Sequence, residues 1–331
     1  MRFLLRGCRA LAAVMAMLIG MTVANAASLS TPYLGGNNHR GNMFDVLPAS
    51  DIAITQVQLS SLGAGNFPYA IYMREGTWNG HANSPSDWTL LQTGTVVGYG
   101  AGNASDVIPL ASPVSLAAGV TYGFYVTSTN TGISVAYTDG SGVGNVLASD
   151  ANLTIFEGGG LEYPFTAGSG GVFQPRSWNG TLHYELVGPT TQFVVSAPTT
   201  ATSGTAFDVT VTAQDANGYT TPSYSGTVRF TSSAATATLP ANSTLTNGTG
   251  TFSATLRRAG NQTVTAADVA TPAITGTSAA IAVAAVPLPA GATSIPTLSE
   301  WGLIIMSSLI AMLGIARVRR HSRAGRSSIP G

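Results

Sequence analysis

The strongest constraint on how this chain folds is a two-residue hydrophobic rhythm, broken at short intervals by turn residues. Phe207, Val209, Val211 and Ala213 alternate with Asp208, Thr210 and Thr212. Val228/Phe230, Phe252/Ala254/Leu256, Val264/Ala266 and Ile281/Val283 repeat the pattern. Asn217-Gly218, Asn247-Gly248 and Ala259-Gly260 separate these runs, and such pairs supply the positive φ that tight turns require. About seven short strands over 191–284 predict an immunoglobulin-like sandwich. Residues 27–187 keep the rhythm but are richer in aromatics. Val120, Tyr122, Phe124 and Val126 alternate, as do Ile133/Val135/Tyr137 and Leu182/Tyr184/Leu186. Within Ile52–Leu59 the apolar phase slips by one residue, which predicts a β-bulge. No helix-period stretch interrupts this region, so it reads as a larger β-sandwich of jelly-roll type. The fold class is therefore all-β in two sandwiches. They are divided at Val187-Gly188-Pro189-Thr190 and followed over 285–294 by a proline-rich, semi-stiff spacer.

The two ends of the chain have a different character. Arg2, Arg6 and Arg9 precede the apolar run Leu11–Val23, and Ala24-Asn25-Ala26 is a small-x-small cleavage site. Residues 1–26 thus read as a secretory signal peptide cut after Ala26, with Ala24 and Ala26 as the cleavage residues. The single cysteine, Cys8, leaves with it, and the remaining chain has no means of forming a disulfide. At the other end, Ile295-Pro296-Thr297-Leu298-Ser299-Glu300-Trp301-Gly302 leads into apolar Leu303–Ala316. Arg317, Arg319, Arg320, Arg323 and Arg326 follow at once in a basic tail over 317–331. Counting Trp301 and Gly302, and letting the arginines snorkel, 301–316 makes a marginal transmembrane helix with its basic end in the cytoplasm. Physics alone leaves a retained tail anchor and a sorting device both open.

The residues of the tail favour the second. Ile295-Pro296-Thr297-Leu298, two residues, then Trp301-Gly302 resembles the IPTL-type C-terminal sorting domain of Gram-negative bacteria, over 295–321. The resemblance implies an exosortase-type transpeptidase as partner. Ile295, Pro296, Thr297, Leu298, Trp301 and Gly302 would form the recognition signal, and the arginines a stop-transfer element in the inner membrane. Ser203–Val211, Asp215-Ala216-Asn217-Gly218, Tyr224–Phe230 and Arg258-Ala259-Gly260 are similar to bacterial Ig-like domains, which act as spacers or adhesive units in surface proteins. Asn42–Val46, Trp88–Leu91, Tyr122–Val126 and Gln174–Gly180 resemble an uncharacterised β-sandwich recurrent in secreted, sorted bacterial proteins, which implies architecture and no activity.

Charge narrows the function classes. Charged residues make up 8% of the chain and there is no lysine, so all fourteen basic residues are arginines. Eight of those lie in the signal and the tail; from Ala27 to Ile295 six arginines face thirteen acids, a formal charge of −7. That excludes nucleic acid, whose recognition needs a basic face. His39, His81 and His183 are widely spaced, and no nucleophile elbow, Walker loop, dinucleotide fingerprint or CxxC is present. Glu157 and Glu162 could suggest a glycosidase carboxylate pair, but the glycines between them read as a solvated loop. Gly140–Gly144 and Gly158–Gly160 read as loops as well. Asp139-Gly140-Ser141-Gly142 and Asp215–Gly218 lack calcium-loop spacing and read as turns. The expectation is therefore no catalytic residue, no metal and no cofactor. Trp78, Trp88 and Trp178 are the candidate ligand-binding residues, two of them in Trp-Asn-Gly turns where a ring and an amide could receive a sugar. The composite expectation is an envelope-sorted surface protein with a structural or adhesive role, meeting a surface glycan or protein ligand. A carbohydrate-binding module is the alternative, and an unrecognised extracellular hydrolase the second.

Overall fold

The computed structural model describes residues 26–165, 171–286 and 298–324. The signal peptide up to Asn25, the sorting residues Ile295–Thr297 and Arg326 lie outside the described residues; Ala26 is exposed just before the first strand. Fourteen strands build the head: Ala27–Ser30 (β1), Asn37–His39 (β2), Gly41–Pro48 (β3), Ile52–Leu59 (β4), Ala64–Glu75 (β5), Thr89–Tyr99 (β6), Ile108–Leu116 (β7), Tyr122–Ser128 (β8), Val135–Asp139 (β9), Val146–Ser149 (β10), Leu153–Phe156 (β11), Gly158–Leu161 (β12), Phe173–Trp178 (β13) and Gly180–Leu186 (β14). They form a four-stranded sheet, β1-β14-β4-β7, and a ten-stranded sheet, β2-β9-β13-β12-β3-β8-β5-β6, with β11 joining β10 to β3. Leu29, Ile54, Val57 and Leu182 of the small sheet meet Phe44, Ile71, Phe124 and Val126 of the large one in a single core. The slip expected in β4 is present. Gln56 faces His183 and Ile54 faces Tyr184, which leaves Thr55 as the extra residue of a bulge.

The alternation in β8 predicts one buried face, yet all seven of its residues are buried. Tyr122, Phe124 and Val126 enter the main core. On the opposite face Tyr125 joins Met43, Leu161, Trp78, Ala82, Trp88 and Phe165 in a second apolar cluster. Trp78, Ala82 and Trp88 arrive from the β5–β6 connection, which folds over the sheet as a cover. Asp45 pins it in place, accepting from Thr77 Oγ1 at 2.6 Å and from the Trp78 N–H at 2.8 Å.

Gly158–Gly160 is a strand rather than the expected loop, running between β3 and β13 inside the large sheet. Its glycines have a steric cause. A Cβ on Gly158 would collide with the Met43 carbonyl oxygen, one on Gly159 would sit 2.9 Å from the Trp78 ring, and one on Gly160 2.7 Å from the Tyr137 hydroxyl. Such distances leave no room for any side chain on either face.

The second β region has ten short strands: Gln192–Ser196 (β15), Thr200–Thr202 (β16), Ala206–Gln214 (β17), Thr227–Ser232 (β18), Ser243–Thr244 (β19), Thr249–Thr255 (β20), Gly260–Gln262 (β21), Val264–Asp268 (β22), Thr275–Thr277 (β23) and Ile281–Ala284 (β24). They pair as β15-β17-β20, β16-β24-β21 and β19-β18-β22-β23 around Val209, Val211, Val228, Leu256, Val264 and Ile281. β16 and β24 run parallel, and every other pairing here is antiparallel. Asn247-Gly248 is the tight turn that its residues predict. Both adopt positive φ (50° and 71°), and Thr246 and Thr249 exchange main-chain hydrogen bonds of 3.0 Å.

Among the described residues there is one long helix, Leu298–Ala324 (α1), in a unit separate from both β regions. The expected membrane span over 301–316 does not hold: among the described residues no helix is long and apolar enough to cross a membrane. The reason is length. The uncharged apolar stretch Leu303–Ala316 rises about 21 Å at 1.5 Å per residue, against a hydrocarbon core of roughly 30 Å. Ser307 and Ser308 dilute it further, each turning its hydroxyl back to the Ile304 carbonyl (3.0 and 2.7 Å).

Candidate functional site

Leu298 opens α1, so Leu298, Trp301 and Gly302 of the sorting signal are helical positions. Trp301 is half exposed, and Leu303, Ile310, Met312 and Leu313 are each about two-thirds exposed. Apolar side chains therefore emerge on every side of the helix. A helix apolar all round is made for burial in lipid or protein, not for a single amphipathic contact. Arg317, Arg319, Arg320 and Arg323 occupy its last turns.

The tryptophans are not available to a ligand, which corrects their expected role. Trp78, Trp88 and Trp178 are 1, 8 and 2% exposed. Trp178 stacks on Phe44 in the main core, with ring centroids 4.2 Å apart. Trp88 belongs to the cover and turns inward, its indole N–H donated to the His81 carbonyl at 3.0 Å. Asn179, next to Trp178, is buried too and accepts from the Gly35 N–H (2.9 Å) and the Thr138 hydroxyl (3.1 Å). Trp178-Asn179-Gly180 is thus a packing joint, whereas in Trp78-Asn79-Gly80 only the tryptophan is buried. Big rings serve the large sheet because its central strands need apolar matter on two faces.

The carboxylates have structural work. Glu157 is buried, and its Oε2 accepts the N–H groups of Ser141 (2.6 Å) and Gly142 (2.8 Å) and the Ser141 hydroxyl (3.1 Å). Its Oε1 accepts from Ser177 Oγ at 3.2 Å. Burial alone would push its carboxyl up, but the donated hydrogen bonds outweigh that and hold it below the ordinary range. Glu162 instead pairs with Arg40 (3.3 Å) and His39 (3.7 Å). The two glutamates thus serve separate contacts. Asp215 caps the turn after it, accepting from Asn217 and Tyr219, and reaches back to the Gly188 N–H at 2.9 Å. Asp139 holds Arg176 (3.2 Å) and Asn37 (2.7 Å). His81 pairs with Asp87 at 2.5 Å and His183 with Gln58 at 3.0 Å. Among the described residues no group of three or more His, Cys, Asp or Glu is placed to hold a metal ion.

One concavity was not foreseen from the residues. A cleft of about 500 Å³ opens where β6 and β7 part, walled by Leu90 and Leu91 on one side and Ser112–Ser115 on the other. Thr220, Pro222 and Asn247 of the second β region close one end of it.

Residues 293–320 match the family model described as the IPTL-CTERM motif, which covers the whole sorting signal and the first three tail arginines. The chain accordingly ends in an IPTL-CTERM motif behind an all-β body. No curated protein matches it. Among solved structures, the D0-D1 domain of intimin is similar at 13% identity and a TM-score of 0.23, covering 77% of this chain and 98% of that one. A protein described as membrane anchored, from Corynebacterium diphtheriae, is similar at 14% identity and a TM-score of 0.24, covering 81% of this chain and 61% of that one. Scores this low leave the fold to be read from the chain's own sheets.

Proposed function

We propose that this is an exported surface protein of a Gram-negative envelope, delivered by its C-terminal motif and serving a structural or adhesive role. The observation that carries the reading is the IPTL-CTERM match over 293–320, placed behind two β-rich regions with a leader-like segment in front. Export uses residues 1–26. Residues 27–187 form a head and 191–284 an Ig-like spacer, with 285–294 as a stalk. An exosortase-type transpeptidase recognises Ile295–Leu298 with Trp301 and Gly302, while the all-round apolar surface of α1 is taken up by the inner membrane together with that enzyme. A sugar-binding role built on the tryptophans loses its support, because their rings are buried.

The test is the intact mass and C-terminal peptide map of the protein isolated from native envelopes. The expected result is loss of the segment following roughly Ile295–Gly302, with any added mass reporting what the new end was joined to. Retention of Leu303–Gly331 in the mature surface form would refute the sorting step.

A further inference from the structure

We propose that the cleft between β6 and β7 binds an extended peptide that carries a basic side chain. This deepens the adhesive reading above and rests on surface display. Its test below reads peptide binding alone, so the sorting step stands or falls separately.

Two sheet edges flank the cleft, and β5, β8 and the second β region supply the rest of its lining. β6 ends the ten-stranded sheet and β7 ends the four-stranded one, so each presents an outer main-chain edge. The connection leading into β7 is tied to β6 where the Asp106 N–H donates to the Val97 carbonyl at 2.9 Å. Further along, a side chain spans the gap: Gln92 Oε1 accepts the Ala111 N–H at 3.1 Å. Beyond that the edges part. Both walls are bulged at this place. The β5–β6 register slips between Ile71 and Tyr72, leaving Leu91 as the extra residue, and the β4–β7 register slips opposite Thr55, leaving Leu110–Pro113 outside the ladder. Bulges bend a strand and free its main-chain groups from regular pairing, and here they do so on both sides of one opening.

The chemistry selects the occupant. An extended backbone offers N–H and C=O groups alternately on its two sides, the complement of two facing edges. Leu90 is 49% exposed and Val114 half-buried, which provides an apolar seat for a side chain. Glu75 is the only charged side chain among the lining residues. Glu75 in the lining, together with the formal −7 of residues 27–295, favours a basic partner over an acidic one. A sugar finds no platform there, since Tyr122, the one aromatic residue of the lining, is 6% exposed.

The experiment uses the full chain in detergent and three probes. These are a fluorescein-labelled blocked pentapeptide with alternating threonine and valine around a central arginine, the same peptide with glutamate in the centre, and cellopentaose as competitor. Fluorescence anisotropy should show saturable binding of the arginine peptide and at least about tenfold weaker binding of the glutamate one. Glu75→Gln should weaken the arginine peptide about tenfold, and Ser112→Trp, which fills the mouth from an exposed position, should abolish binding. Both variants lie at exposed sites, and unchanged melting curves will certify their fold. No saturable binding of the arginine peptide overturns the proposal. So does binding that both variants leave unaltered, and so does displacement by cellopentaose with no discrimination between the peptides.

Discussion

Replacing Glu157 by glutamine tests whether a buried carboxylate organises the head. The two N–H donors at Oε2, from Ser141 and Gly142, make charge-assisted bonds of 2.6 and 2.8 Å. Hydrogen bonds to a charged group contribute about 1.5–3 kcal/mol and neutral ones about 0.5–1.5, so two downgraded bonds cost roughly 2 kcal/mol. Relief of the buried charge returns part of this, leaving a loss of about 1–2 kcal/mol. The direction is decided by the acidity: the Glu157 carboxyl is held below its ordinary 4.5, so the ionised form is favoured on folding despite burial. For a region of this size the loss corresponds to a fall in Tm of about 3–6 °C. Tryptophan fluorescence reads the event locally, because Trp78, Trp88 and Trp178 lie in the head and the second β region has none. The pH dependence follows from linkage. With a depressed folded value the unfolded chain takes up the proton first, so the contribution is complete above 4.5 and is lost as pH falls through the folded value. The wild-type chain and Glu157→Gln should therefore differ at pH 7 and converge in acid. Equal stability at pH 7, or a difference that persists unchanged in strong acid, would refute the reasoning.

Three further outcomes are expected. Gly158→Ala drives a Cβ into the Met43 carbonyl oxygen and should cost the head more than about 3 kcal/mol in urea unfolding, whereas Gly63→Ala, with nothing within 4 Å, should be silent. Gly248→Ala places a Cβ against the Thr221 carbonyl at a φ of 71° and should lower the stability of the second β region by about 1–3 kcal/mol, followed by circular dichroism. Trp178→Ala removes the partner of Phe44 from the main core and should cost about 3–5 kcal/mol; a mild effect would mean that the indole is not packed as described.

Much of this architecture can be read from residue order, because strands and tight turns leave local marks. Phe207–Ala213 alternates and becomes β17; the phase slip in Ile52–Leu59 becomes the bulge at Thr55; Asn247-Gly248 becomes the positive-φ turn. What resists reading is non-local. Three successive glycines carry no side-chain pattern, so β12 looks like a loop until Met43, Trp78 and Tyr137 are seen crowding it. The burial of Tyr125 depends on a cover arriving from Trp78 and Trp88, about forty residues earlier in the chain. The same cover turns candidate ligand-binding rings into core. In the tail the motif is legible as residues, but a span depends on apolar length, and there the sequence pattern suggests more than Leu303–Ala316 supplies. The β6–β7 cleft left no mark at all, since its walls are ordinary Leu, Ser, Pro and Val from separate segments.

The parallel pairing of β16 with β24 has a mechanical consequence. Thr200–Thr202 lies alongside Ala282–Ala284 near the entry and exit of the second β region, fastened further by the Ala282 N–H to Thr199 and the Ser203 N–H to Ala284. When the head is pulled one way and the C-terminal end the other, these two segments are drawn past each other along their length. Their hydrogen bonds then bear tension together instead of opening one after another like a zip. A module wired in this way resists stretching better than one whose terminal strands peel apart bond by bond.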